Sequence, residues 1–229
     1  MTFLTILFWT GLSILIFGLC VRVTRWQAFR YIPPMILAAG FIIAILQIGD
    51  VSYDTYRAGT RPLLWLLTPA TIALAYPLYK NRDIIRKNKG IVTIGILAVT
   101  FISLLSAMGV GKIFGASKVL TTSMALKSVT TPIAIEISAI VGAIPEITAC
   151  MVVFTGIFGG SVGLAVLSAC GVRHALSIGM AMGGGSHVFG TARCLVKGEM
   201  EQAAVSVLAV VLVGICTAMV APILFYYGW

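Results

Sequence analysis

Charged side chains are scarce in this sequence. They make up 10% of its 229 residues, and only seven residues are acidic. In a soluble domain about 25% of the residues are charged. Hydrophobic residues make up 59% of the chain, and its mean hydropathy is +1.06. No soluble core of this size needs so much apolar surface, so the composition predicts an integral membrane protein.

The sequence is also poor in the side chains on which enzymes and metal centres depend. It has two histidines and five cysteines, and the cysteines occur singly on apolar stretches, without a CxxC pair or a Cys/His cluster. It contains neither a phosphate-binding glycine loop nor a nucleophile–base pair. We therefore expect no metal site, no cofactor and no enzymatic activity.

Basic residues outnumber acidic ones, 16 to seven, for a net charge of +9. In a soluble protein this excess would suggest a nucleic-acid partner, but here the basic residues lie in short loops, where they orient a membrane protein. The loops 22–30 and 80–89 are the most basic. We predict that both are cytoplasmic and that the N-terminus is outside. On this prediction Arg193 and Lys197 are cytoplasmic, and no nucleic-acid partner is expected.

The apolar stretches predict an all-α polytopic membrane protein with about eight membrane-embedded segments, some of them discontinuous or re-entrant. The first stretch is apolar from its start and is followed by arginines, which favours a membrane span over a cleaved signal peptide. Whether the fifth segment crosses the membrane or re-enters is left open. The predicted segments are 2–21, 31–49, 62–79, 91–110, 119–140, 145–170, 174–195 and 203–226.

The order of these segments suggests an internal two-fold repeat within a single transmembrane domain, 1–229. Its halves would be residues 1–115 and 116–229, without detectable residue identity between them. The third and seventh segments are both interrupted, and paired broken segments in two halves indicate a transporter binding site. Parallel and inverted repeats both remain open.

The stretch GGGSHVFGTAR, 183–193, places polar residues inside the seventh segment. Three glycines are unfavourable in a helix, so we predict a break there, with Ser186 capping a second half-helix. Such an N-terminus suits an anion, and His187 and Arg193 would then face the same cavity. The alternatives are close helix packing at the glycines, a buried structural histidine, and an arginine that reaches the membrane surface. Gly185 and Thr191 complete this predicted site.

The stretch LTPATIALAYPLYK, 67–80, contains a second predicted break. Pro69 removes a backbone donor, and Thr68 or Thr71 is a candidate cap for a half-helix that starts near Ala70. A simple proline kink without a ligand is the alternative.

The stretch TTSMALKSVTTPIAIEIS, 121–138, contains the third predicted break. Pro132 suits the first turn of a helix, with Thr131 as its N-cap. Lys127 and Glu136 are ionisable groups near or within an apolar segment, which makes them functional candidates; Glu136 could pair with Lys127 or Arg193, or carry a proton. The alternative places Lys127 in a loop and Glu136 in a structural ion pair.

Several motifs of this chain resemble the LrgB/CidB family of membrane proteins. They are TPATIALAYPLYKN, 68–81; KSVTTPIAIEIS, 127–138; GAIPEITACMVVFTGIFG, 142–159; and GGGSHVFGTAR, 183–193. Family forms often read GPAT at 68–71 and GTASHAIGTAR at 183–193. Despite these differences, this chain retains the helix breaker and the residues Ser186, His187, Thr191 and Arg193. The differences could alter the choice of ligand.

The resemblance implies two different functions. Bacterial members are described as holin/antiholin-like proteins that affect murein hydrolase activity and autolysis, with an LrgA/CidA-like partner. A plant relative is a plastid glycolate/glycerate transporter, and bacterial members have been linked to pyruvate uptake. The resemblance also implies a multi-pass protein of the bacterial inner membrane.

The three breaks favour a carrier over a holin, because a holin needs only hydrophobic helices that oligomerise. We therefore expect a secondary transporter of small monocarboxylates of the glycolate, glycerate, lactate or pyruvate type; the alternative is an antiholin-like regulator of autolysis. Besides the carboxylate and the lipid bilayer, the expected partners are an LrgA/CidA-like protein or further copies of this chain. His187 and Glu136 are the candidate proton carriers. The predicted substrate-binding residues are Thr68, Pro69, Ala70, Thr71, Lys127, Ser128, Thr130, Thr131, Gly185, Ser186, His187, Thr191 and Arg193.

Overall fold

A computed structural model of the chain divides into two compact units, Met1–Ala70 and Thr71–Trp229. The predicted all-α architecture is confirmed, since the regular secondary structure of the described residues is helical. The predicted halves of the internal repeat, by contrast, stay a prediction. The structure describes residues 3–24, 34–66, 69, 72–73, 75–80, 82–196 and 199–227.

The first unit is a helical layer in which α1 packs on α2 and on a short helix that follows. Trp9 of α1 meets the ring of Tyr56 edge-on, and Thr10 donates a hydrogen bond to the Gly59 carbonyl (2.9 Å). Residues 50–61, between the second and third predicted segments, are helical in part, because Ser52 caps the helix by accepting from the Thr55 amide. The helices are α1 Phe3–Val23, α2 Pro34–Ile48, α3 Tyr53–Gly59 and α4 Arg61–Trp65.

The second unit contains the remaining helices and most of the polar motifs. The basic stretch 80–89, predicted as a loop, includes a helix in which Asp83 lies in the first turn and Arg86 and Lys87 in the last, a charge order that suits the helix dipole. The helices are α5 Ala75–Lys80, α6 Arg82–Lys87, α7 Lys89–Ile113, α8 Lys118–Ala125, α9 Thr131–Val141, α10 Pro145–Ala169, α11 Ala175–Val196 and α12 Met200–Tyr227.

Four described helices, α1, α7, α10 and α12, are long and apolar enough to cross a membrane. The predicted seventh segment is not a fifth such crossing. Its helix, α11, breaks at His187, whose backbone (φ 39°, ψ −124°) is not helical.

The two arms of α11 fold back on each other. A side chain at Gly190 would collide with the Met182 carbonyl oxygen, although these residues would lie about 12 Å apart in a straight helix. Gly183 and Thr191, one from each arm, both contact Ser206 of α12. Residues 175–196 therefore form a helical hairpin with its tip at His187, which we call the second hairpin.

A matching hairpin is built from α8, a 3₁₀ turn at Leu126–Ser128, and α9. Val129 and Thr130 are extended and reverse the chain between its arms. The amide of Ile144, just beyond α9, donates to the Ser123 hydroxyl of α8 (2.9 Å). Residues 118–141, which include the predicted fifth segment 119–140, therefore re-enter as well, and we call them the first hairpin.

The two hairpins enter the unit from opposite ends. Along α7, Gly95 faces Met180 of the second hairpin, whereas Gly111 faces Thr121 of the first. Along α12 the order is the same: Val213 meets Gly184, and the following Gly214 meets Ile133 of the first hairpin. Both tips thus lie about halfway along α7 and α12.

Helix α10 accommodates the second hairpin through a row of glycines. Gly156 approaches His187 and Phe189, Gly159 approaches Ser186, and Gly163 approaches Met182. A Cβ at Gly156 would lie 2.7 Å from the His187 ring, so glycine is required for the close approach of the tip.

The hairpin topology can be tested by thiol labelling of cysteines introduced at Arg173 and Arg193, in a background without the native cysteines. Arg173 lies just before the second hairpin and Arg193 near the end of its second arm, so both mark its open end, and both are exposed. We expect both to react with an impermeant maleimide from the same side of the membrane. A cysteine at Lys112, at the far end of α7, should react from the other side; opposite labelling of 173 and 193 would mean that α11 crosses.

Candidate functional site

The tip of the first hairpin is held by a polar cluster around Ser103 of α7. The Lys127 ammonium nitrogen lies 3.2 Å from the Ser103 carbonyl oxygen and 3.4 Å from its hydroxyl oxygen. The Ser103 hydroxyl in turn donates to the Ser128 hydroxyl (2.6 Å). These bonds place the Lys127 side chain near the midpoint of α7, where an ionisable group is costly and is therefore usually retained for a function.

The two tips touch through His187. Its Nε2 atom lies 3.3 Å from the Lys127 carbonyl oxygen, to which it donates as an N–H. The side chain is 2% exposed and packs edge-on against Phe189. His187 therefore joins the second hairpin to the cation-bearing turn of the first.

The strained backbone of His187 is held by its own hairpin. A positive φ at a residue other than glycine costs about 1–3 kcal/mol and persists only where neighbours enforce it. Here Thr191 donates to the His187 carbonyl oxygen (3.1 Å), and its oxygen lies 2.7 Å from the Ser206 hydroxyl of α12. The tip of the second hairpin is thus fixed by hydrogen bonds that run from His187 through Thr191 to Ser206 of α12.

The break in the seventh segment lies at His187, after the three glycines where it was predicted and one residue beyond the predicted cap, Ser186. Gly183, Gly184 and Gly185 continue the helix, and the chain departs from it only at His187. Gly183 sits directly against the Ser206 backbone, so it serves close packing, the alternative left open above. Ser186 is buried against Gly159, which leaves no room for an added carbon between them.

The predicted cap of α9 is also displaced by one residue. Thr130, not Thr131, is the N-cap, and Thr131 and Pro132 form the first turn. The Thr130 side chain makes no capping hydrogen bond. Its hydroxyl is buried and has no hydrogen-bond partner among the described residues. Thr130 therefore presents an unused donor and acceptor at a helix N-terminus.

The structure brings together only part of the predicted site. Lys127, Ser128 and His187 lie at or beside the meeting tips, as do Thr130, Thr131, Ser186 and Thr191 on the same turns. Glu136 and Arg193 are exposed, and within the described part of the chain no ion pair joins Glu136 to Lys127 or Arg193. Gly185 lies within the helical arm before the tip and has open space where a side chain would be.

The predicted break around Pro69 falls largely outside the described residues. Thr68, Ala70 and Thr71 lie outside them, and Pro69 itself is exposed and helical. Whether this stretch contributes to binding stays a prediction.

Two serines that the sequence analysis missed are central to the cluster. Ser103 binds the first tip and Ser206 binds the second, each from a membrane-spanning helix. Both lie in long apolar runs, where a single serine gives little signal. The glycine row of α10 had a clearer signal, since small residues three or four positions apart mark close helix contacts.

Comparison with known proteins identifies the family. The sequence profile of the LrgB-like family matches residues 13–227. The chain belongs to the LrgB-like family. No solved structure matches it.

Relatives of this LrgB-like chain are similar over nearly their full length. An uncharacterized protein of Haemophilus influenzae is 35% identical over 219 residues, covering 95% of this chain and 94% of that protein. Antiholin-like protein LrgB of Bacillus cereus is 32% identical over 196 residues, covering 86% of this chain and 85% of its own. The protein of the same name from Bacillus anthracis is similar to the same extent. The predicted family resemblance is thus confirmed, and so is the prediction that the chain is a membrane protein.

Proposed function

We propose that this chain is a secondary carrier of small monocarboxylates in the bacterial inner membrane. The observation that supports this proposal is the meeting of the two hairpin tips, which enter from opposite ends, at Lys127 and His187. Broken helices that meet at the middle of a membrane, with polar groups at their ends, are the arrangement in which carriers bind substrate and alternate its access. A protein that only oligomerises within the bilayer has no need of it.

The proposed carrier binds one carboxylate at the tips and couples its movement to protons or to a second carboxylate. Of the two predicted proton carriers, His187 lies at the tips, whereas Glu136 is exposed on α9. His187 is therefore the stronger candidate for proton coupling.

A second candidate function is that of an antiholin-like regulator of autolysis, acting with an LrgA/CidA-like partner. The names of the Bacillus relatives favour this role over transport. An antiholin-like regulator does not need to transport a substrate in a saturable way. The exposed apolar surfaces of α7 and α10 are compatible with a protein partner in the membrane as well as with lipid.

Uptake into proteoliposomes separates the two functions. The purified chain is reconstituted alone and with an LrgA-like protein, with a dye inside, and labelled lactate, glycolate and pyruvate are offered with and without a pH gradient. We expect saturable uptake by the chain alone, with the dye retained. Dye leakage, or no saturable uptake in either preparation, would favour the antiholin-like function.

A further inference from the structure

The polar groups of the two hairpin tips differ in how fully they are used. At the second tip, His187 binds the Lys127 carbonyl, Thr191 binds the His187 carbonyl, and Ser206 lies within hydrogen-bond distance of Thr191. The Ser186 side chain is packed against Gly159. The side chains of the second tip are therefore occupied by one another and by their neighbours.

The first tip keeps unused donors. The Thr130 side chain is 6% exposed, and its hydroxyl has no partner within the described part of the chain. The Ala134 amide donates to the Thr130 carbonyl (2.9 Å), and Pro132 has no N–H. The amides of Thr131 and Ile133 are thus the first-turn donors of α9 that no intrahelical acceptor reaches. It is one of four buried threonine hydroxyls without a partner among the described residues, and Thr130 is the one of these four that is a helix N-cap residue, where a ligand can use both the hydroxyl and the free amides.

The charge at this tip is also unbalanced. Lys127 is half-buried, and its ammonium contacts the carbonyl and hydroxyl of Ser103, both neutral. In the described ranges of the chain, no carboxylate lies within ion-pair distance of it. An ammonium has three protons to donate, and a membrane interior penalises an uncompensated charge. A ligand with a single negative charge would balance the ammonium.

The surroundings of the tip are apolar. Leu126, Val129 and Ala134 are at most 1% exposed and lie on or next to the same turn. An organic anion with a short apolar body suits these apolar surroundings better than a hydrated inorganic ion does, because its apolar part gains from burial.

We infer that the first hairpin alone holds the ligand, a monovalent carboxylate bound by the Lys127 ammonium, the Thr130 hydroxyl and the first turn of α9, and that His187 of the second hairpin is a positioning residue. The ammonium balances the charge, while the hydroxyl and the free amides supply the directional hydrogen bonds. His187 fixes the Lys127 turn by its bond to the carbonyl oxygen. This inference rests on the proposed function for the class of ligand alone, a small monocarboxylate.

Equilibrium binding to the full chain in lipid nanodiscs tests the inference without requiring transport. The probe is radiolabelled lactate in a scintillation proximity assay, with unlabelled acetate, succinate and chloride as competitors. We expect Thr130→Val to weaken lactate binding at least about tenfold, the cost of losing a hydrogen bond to a charged group. Thr130→Ser, which keeps the hydroxyl, should bind as the wild type does.

The chain offers a matched control in Thr121. It is likewise buried with an unpartnered hydroxyl among the described residues, but it packs against Gly111 of α7, away from the α9 N-terminus. Thr121→Val should leave lactate binding unchanged. Acetate should compete with lactate, and succinate should compete at least about tenfold less well, because its second charge has no partner.

Each outcome has a distinct meaning. Equal lactate affinity in Thr130→Val and Thr121→Val, or equal competition by chloride, would overturn the inference even if the chain transports lactate. Binding that depends on Thr130 in a chain without saturable uptake would uphold the site and reject the carrier. In His187→Gln the glutamine amide can still donate to the Lys127 carbonyl. Near-normal lactate affinity of this variant would support a positioning role for His187. A loss of affinity as complete as in Lys127→Met would contradict that role.

Discussion

Replacement of Lys127 by methionine is expected to abolish saturable carboxylate uptake, with a fall of at least about 100-fold in kcat/KM. Methionine preserves much of the apolar stem of lysine but removes the ammonium that lies against Ser103 at the meeting tips. The ammonium would form a buried charge pair with the bound carboxylate, and losing one partner of such a pair costs about 3–5 kcal/mol. The measurement is initial uptake of labelled lactate into proteoliposomes across a range of concentrations.

Two further variants give this result its meaning. Lys112→Met makes the same change at the exposed end of α7 and should leave kcat/KM as in the wild type. Lys127→Arg keeps the charge but not the compact shape of the ammonium, so it should retain part of the activity, with a raised KM. Uptake by Lys127→Met equal to that of Lys112→Met would show that the carboxylate binds elsewhere.

A single methyl group at Gly190 is expected to destabilise the second unit strongly. The Cβ of an alanine would collide with the Met182 carbonyl oxygen of the opposite arm and lie 3.0 Å from the Ser186 Cβ. Backbone cannot move aside as a flexible side chain can, and overpacking of this kind costs about 1–3 kcal/mol or more. We expect a clear fall in the melting temperature of Gly190→Ala in detergent, with loss of monodisperse protein at lower temperature than the wild type.

The control lies five residues earlier in the same hairpin. Apart from the adjacent residues and backbone of its own helix, no heavy atom lies within 4 Å of the place that a Cβ atom would take at Gly185, so alanine fits there without strain. Because alanine is the better helix former by about 1 kcal/mol, Gly185→Ala should be as stable as the wild type or more so. If both variants melted alike, the arms of α11 would not approach each other as closely as the hairpin requires.

The positions of the polar segments follow from the sequence more directly than their paths through the membrane do. The order of apolar stretches predicted the long helices and the broken fifth and seventh segments. It did not predict that the seventh segment turns back at its middle. A segment that crosses the membrane and one that turns back can have the same composition. They differ only in whether residues on opposite sides of the break meet, as Met182 and Gly190 do.

The details of the breaks show the same limit. Three consecutive glycines suggested the position of the break, yet all three remain helical, and Gly183 is needed for close packing against the backbone of Ser206. The break falls instead at His187, where hydrogen bonds to neighbouring elements stabilise an otherwise unfavourable backbone. Local propensity alone cannot reveal such a position.

Hydropathy, helix breakers and motifs are local properties, and they suffice to predict a helical membrane protein of the LrgB-like family with polar breaks in its fifth and seventh segments. They do not reveal that the two breaks are the tips of opposed hairpins, or that Lys127 and His187 meet there while Glu136 and Arg193 stay apart from them. Those features appear only in the folded chain, because the contacts that create them join residues distant in sequence. The bonds that place the tips come from Ser103 and Ser206, two serines in otherwise apolar helices.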